Sequence, residues 1–154
     1  MTDITDVATE LKTILSALAD VDQSSLDHYA PITTTQKIAL LIVPFQQSGV
    51  MEYASVMGAQ TRVHAHNIPC EFWIKVANAN VAAAMERGRD ICLQAMRLIA
   101  ANPTLNGSVT TVGSSLLGNA GRIGPYNVAP RYEERGVVTY IIATLFVPVQ
   151  LYDN

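Results

Sequence analysis

The chain reads as an α+β fold, a mostly antiparallel β-sheet packed with two main α-helices, and three observations predict it. The first is the stretch Gly136 to Tyr152, GVVTYIIATLFVPVQLY. Val137, Thr139, Ile141, Ala143, Leu145 and Val147 fall on one face of an extended strand, and Val138, Tyr140, Ile142, Thr144 and Phe146 fall on the other. Neither face suits water, and the run is too short to span a bilayer as a helix, so it predicts a central strand covered on both sides and ended by Pro148. The second observation is a pair of segments with helical periodicity, near Asp3–Asp20 and Asn80–Ala101. The third is the order helix, strand, strand or hairpin, long helix, extended loop, strand, which fits an antiparallel sheet with helices added to it.

Taken in order, the first helix is predicted from Asp3 to Asp20. Ile4, Val7, Leu11, Ile14 and Leu18 recur at spacings of three and four, and Leu15 and Val21 widen the stripe. Thr2 or Asp3 caps its start, and Asp3, Asp6 and Glu10 set negative charge at the positive end of the helix dipole. Asp22 to Thr35 is polar and carries Pro31, so it reads as a connecting loop. Lys37 to Val43 is a short apolar run stopped by Pro44, a second buried strand. Phe45 to Gln60 stays undecided: Val50, Tyr53, Ala54 and Met57 suit a helical stripe, but Gly49 and Gly58 bracket only about two turns.

From Thr61 alternation returns, with Val63 and Ala65 on one side and Arg62, His64 and His66 on the other, as in a half-exposed strand. Past Ile68–Pro69, Cys70, Phe72, Ile74 and Val76 face one way and Glu71, Trp73 and Lys75 the other, so the two pieces form a hairpin or one bent strand. Trp73 beside Lys75 is a candidate contact residue, in competition with a cross-strand packing role. The second helix runs from Asn80 to Ala101, with Val81, Ala84, Met85, Gly88, Cys92, Ala95, Met96 and Ile99 along one face. Asn78 or Asn80 caps it and Asn102–Pro103 stops it. Ala82, Ala83, Ala84 and Gly88 are small enough for close approach to a sheet. A short strand at Ser108–Val112 would leave a Gly- and Pro-rich loop from Gly113 to Arg135, long for a compact domain and expected to be mobile until it meets a neighbour.

The 154 residues suit one domain, large enough to bury about two-thirds of its unfolded surface. Hydrophobic residues are 49% and charged ones 15%, below the roughly 25% of an ordinary soluble domain, which leaves apolar surface for a partner. No run of about 18 apolar residues and no basic-then-apolar N-terminus is present, so neither a membrane span nor a leader is expected. The net charge of −3 argues against gripping nucleic-acid phosphates.

The search for chemistry yields weak candidates. His64 and His66 would offer two imidazoles on one strand face, with His28 or Glu71 completing a metal site, but the pair has no clear third ligand. Gly118–Gly124 is Gly-rich without the strand before and helix after that a phosphate loop needs. Gly113-Ser114-Ser115 lacks the second glycine of a nucleophile elbow. Glu133 and Glu134, flanked by Arg131 and Arg135, suit a self-compensating contact patch better than an acid/base pair. Cys70 and Cys92 lack an activating partner and read as inert core thiols. No catalytic residue, cofactor or metal is expected. Interface residues are placed at Arg122, Arg131, Tyr132, Glu133, Glu134, Arg135 and Trp73.

The N-terminal amphipathic helix, the sheet region ending in EFWIKV and the helix closing into NPTLNGSV resemble the tail terminator, or tail completion, proteins of long-tailed bacteriophages. Asn102, Pro103, Leu105 and Gly107 are similar to that family's recurring turn into a strand. The resemblance implies a virion protein, assembled in the host cytoplasm, six copies of which form a ring. The ring would cap the tail tube, halt its growth and dock to a head-completion or connector protein, contacting the major tail tube protein while DNA passes through without specific binding. The alternatives are another head–tail neck protein and a small oligomeric enzyme whose site assembles between subunits from His64, His66 and Glu133.

Overall fold

The computed structural model describes residues 3–26, 32, 38–42, 48–56, 59–77, 79–107, 109, 112–113, 122–133 and 137–153; for 48–56, 59–63, 133, 137–138 and 152–153 it describes the backbone alone. Their order is α1 (Ile4–Leu15), β1 (Val21–Ser25), β2 (Ile38–Ile42), β3 (Ser48–Val56), β4 (Ala59–Lys75), α2 (Val81–Ala101), β5 (Tyr126–Glu133) and β6 (Val137–Asp153). The strands make one mostly antiparallel sheet in the order β1-β2-β4-β6-β5, with β3 paired to β4 and only β1–β2 parallel.

Helix α1 starts as its sequence demands. The Asp3 carboxylate accepts from the backbone N–H of Thr5 and Asp6, and the Asp6 carboxylate accepts from the Asp3 N–H, a reciprocal capping box. The helix ends at Leu15, earlier than its periodicity suggests, because Ser16 caps it and the chain turns through Leu18 to enter β1. Val7, Ala8, Leu11, Ile14 and Leu15 are buried.

The spine is the β4–β6 ribbon, paired from Arg62–Asp153 to Lys75–Tyr140. β6 is interior, as expected, but its faces differ. Ile141, Ala143, Leu145, Val147, Val149 and Leu151 are buried, whereas Tyr140, Ile142, Thr144 and Phe146 are half-buried. Nor does Pro148 end it. The Pro148 carbonyl accepts from Gly113 N–H, so in an antiparallel strand the nitrogen of the same residue also points towards Gly113 and away from β4. The missing N–H therefore removes no β4–β6 bond. Pro69 is tolerated for a related reason: on its other side β4 pairs β3 up to Asn67 and β2 from Cys70, and Pro69 lies in the gap. The two pieces either side of Ile68–Pro69 are thus one continuous strand, and the undecided Phe45–Gln60 region holds β3 and the first residues of β4.

Helix α2 begins at the Asn80 cap, whose side chain accepts from Ala83 N–H. It buries Ala84, Gly88, Ile91, Cys92, Ala95 and Ile99. Ala82 and Ala83 are exposed, so close approach to the sheet rests on Ala84 and Gly88. A Cβ at Gly88 would lie 3.2 Å from Ile74 Cδ1 and Val128 Cγ1 and 3.3 Å from the Ala143 Cβ. Both helices share one core with Ile38, Leu40, Ile42, Ile68, Cys70, Phe72, Ile74 and the odd residues of β6 from Ile141 to Leu151.

Two segments read as loops contain strands. β1 forms in the polar stretch after Val21 because β2 supplies a parallel partner. β5 forms within the Gly- and Pro-rich segment, which is therefore not loop throughout: Tyr126–Glu133 pairs antiparallel with β6, and Tyr126 and Val128 pack on the core.

Candidate functional site

Of the predicted contact residues, Arg122, Arg131 and Tyr132 lie in or just before β5. The Phe146 backbone exchanges hydrogen bonds with Gly124 and Pro125, so the even residues of β6 point their backbone groups towards β5. By register, Asn127, Ala129 and Arg131 bond β6, while Tyr126, Val128 and Pro130 turn theirs to the open edge. Pro130 has no N–H to offer there, and a register shift between Arg131 and Tyr132 breaks the row further. This edge presents side chains rather than a template for another strand.

Those side chains are Arg122, Arg131 and Tyr132, all exposed, with Tyr132 at 59%. Glu133 lies in β5 with only its backbone described, and Glu134 and Arg135 fall outside the described residues. Trp73, two strands away on β4, is buried at 5% exposure. It shares a register row with Ala39, Ile142 and Ala129 and forms a small cluster with Ala39 and Leu41, flanked by Ile32, Tyr140 and Ile142. Tyr140 meets its ring edge-on at 5.6 Å, and the Arg131 guanidinium lies 4.8 Å above the ring centroid. Its indole N–H donates to Glu71 Oε1 at 3.4 Å. Arg131 thus has one side on the Trp73 ring and one side in solvent. Trp73 positions it from below.

His64 and His66 stack 6.2 Å apart on one face of β4. Burial first, and the neighbouring His64 second, push His66 below the ordinary histidine value. Glu71 has odd parity and lies on the opposite face of β4, so it cannot complete a site with these two even positions. His28 lies outside the described residues, and among the described residues no group of three or more His, Cys, Asp or Glu is placed to hold a metal. Cys70 and Cys92 are buried free thiols; burial raises Cys70 far above the usual thiol range and pushes Cys92 up to about 12. Of the Gly-rich motifs, Gly113 and Arg122–Gly124 are described, and Ser114, Ser115 and Gly118–Gly121 are not.

The turn after α2 is tightly built. Asn102 N–H and side chain donate to the carbonyls of Ile99 and Leu98, and Asn102 O accepts from Leu105 N–H. Leu105, Asn106 and Gly107 follow with positive φ of 47°, 57° and 86°, a left-handed path that suits Gly107 and strains Leu105. Leu105 is fully buried, and Asn106 Nδ2 donates to Glu10 Oε2 of α1 at 3.0 Å. Val112 N–H then donates to Pro103 O, and Val112 bridges Val149 on the side of β6 beyond the end of β5. The turn hands the chain from helix to sheet.

The chain matches no protein-family model and none of the curated proteins with which it was compared. Among the described residues no helix is long and apolar enough to cross a membrane.

Proposed function

We propose that the chain is a structural protein of a phage tail or neck, a ring-forming subunit that caps the tail tube, ends its elongation and joins the tail to the head connector. The observation that carries the reading is the helix-ending turn Asn102–Gly107, the motif on which the resemblance to tail terminators rests, whose Asn, Leu and Gly each have a structural task in it. The element order around the turn, from amphipathic helix through sheet and long helix to a closing apolar strand, supports the same reading. So does the acidic balance, since a channel that DNA traverses gains nothing from neutralising phosphates. The partners are further copies of the chain, six to a ring, with the major tail tube protein on one side and a head-completion or connector protein on the other.

Native mass spectrometry and negative-stain imaging of the purified protein, alone and added to growing tail tubes, test this directly. The expected result is a closed ring at tube ends and an arrested tube length. A two-fold dimer that leaves the tube ends bare sinks both the ring and the terminator role.

A further inference from the structure

Exposed side chains of opposite charge lie at the two edges of the sheet. At one edge, α1 and β1 carry Asp3, Asp6, Glu10, Asp20 and Asp22 against the single Lys12. Asp20 and Asp22 are exposed, and Asp22 sits at the register shift between Val21 and Gln23, bulged out of the ladder. At the other edge, Arg122 precedes β5 and Arg131 lies within it, with exposed Tyr132 next to Arg131 and Glu133 closing the strand. Helix α2, which packs over that half of the sheet, carries Arg87, Arg89 and Arg97 against Glu86 and Asp90. Asp20, Asp22 and Arg122 form no ion pair among the described residues.

We propose that neighbouring subunits meet head to tail, the Arg122–Arg131–Tyr132 side of one chain against the Asp20–Asp22 side of the next. The proposal rests on the ring reading above and names its surface. A closed ring needs two different, complementary patches on opposite sides of the subunit. β1 and β5 are the two ends of the sheet order, with exposed Asp20 and Asp22 at the first and exposed Arg122 and Arg131 at the second, where the sequence also carries Glu133. Tyr and Arg are the side chains that anchor interfaces, and Arg131 is held in place by its stack on Trp73. Pro130 and the shift at Arg131–Tyr132 keep this edge from simply adding a strand, so recognition falls to side chains and is sensitive to salt.

The test is a charge swap between two chains. Arg122→Glu/Arg131→Glu turns the β5 patch acidic like its partner, and Asp20→Lys/Asp22→Lys turns the Asp20–Asp22 patch basic like its partner. Each alone is expected to sediment as a monomer, at least about tenfold weaker in assembly than the unaltered chain. An equimolar mixture is expected to recover large assemblies with the two chains alternating. Far-UV circular dichroism checks that each variant is folded, and Arg122→Glu alone, which leaves the Trp73 stack intact, should shift assembly in the same direction by less. Variants that assemble like the unaltered chain, or a mixture that stays monomeric, overturn the proposed pairing while leaving the ring itself standing. A mixture that stops at heterodimers means a two-fold contact and also overturns it. An unaltered chain that is monomeric at every concentration overturns the ring reading and this one together.

Discussion

Phe72 and Trp73 are neighbours on β4 and opposites in surroundings. Phe72 points to the helices and lies in the large core with Ile68, Cys70, Ile74 and the buried faces of α1 and α2. Trp73 points to the other face, where among the described residues its cluster has only Ala39 and Leu41 as fully buried partners, with half-buried Tyr140 and Ile142 beside it and Arg131 above. Both aromatic rings are out of water, but by different means. One is enclosed by two layers of secondary structure, and the other is roofed by an arginine whose far side stays wet. Enclosure serves stability, whereas a roofed ring holds a surface side chain in place.

The largest expected effect comes from breaking the enclosed side. Phe72→Ala should lose about 3–5 kcal/mol of folding stability, since the core around it is close-packed and collapses only partly. Trp73→Ala should lose less, about 2–3 kcal/mol, because water reaches the vacated space past the exposed Arg131. Urea melts of the two variants check the order, and equal losses would erase the distinction between the faces. Next in size is Gly88→Ala. Alanine favours the helix by about 1 kcal/mol, but its Cβ would press on Ile74, Val128 and Ala143 on the enclosed face, and overpacking there costs about 1–3 kcal/mol. A net loss of about 1 kcal/mol is expected, and a stabilised variant would mean that this face yields more readily than its burial implies.

On the roofed side, Arg131→Ala removes a cation–π contact worth about 0.5–1 kcal/mol near a surface. Trp73 is the only tryptophan in the chain, so its emission reports the change directly. A red shift and faster quenching by iodide are expected as water replaces the guanidinium, while Arg131→Lys should shift less because a cation remains but the planar stack does not. Unchanged emission in both variants would remove Arg131 from the roof.

The two faces were not equally legible in the sequence. The helix stripes and the odd positions of β6 announce themselves locally, because apolar period and caps such as Asp3 and Asn80 are written into neighbouring residues. The parity of β4 separated Phe72 from Trp73, and the second face looked polar because Glu71 and Lys75 share it. What buries Trp73 is Ala39, Leu41 and Ile142, a matter of register between distant strands that no local pattern encodes. β1 and β5 escaped for a similar reason. VDQSS has a single apolar residue, and in YNVAPRYE the alternation of Tyr126, Val128 and Tyr132 is interrupted by Pro130, which argues locally against a strand; both are strands because β2 and β6 offer partners. The candidate surface was half visible: Arg122, Arg131 and Tyr132 stood out in a polar segment, but that Asp20 and Asp22 sit at the far edge of the same sheet follows only from the strand order.

The smallest expected effect follows the helix-side parity of β4 beyond the enclosed region. Ile68 is fully buried, yet His66, two residues before it on the same face, is only half-buried and stacks on His64. Burial, and then His64, hold His66 below the ordinary value of 6.5, so the folded chain resists a proton that the unfolded chain accepts. The unfolded state therefore binds more protons as pH drops to and below about 6.5, and the stability contributed by neutral His66 is present above that range and lost as pH falls through it. His66→Asn removes the titration while keeping a polar side chain at the site. Between about pH 7.5 and about pH 5.5, the fall in urea midpoint should be shallower in the variant than in the unaltered chain. Parallel falls in both would place the acid sensitivity elsewhere and leave the half-buried end of this face electrostatically indistinct from an exposed strand.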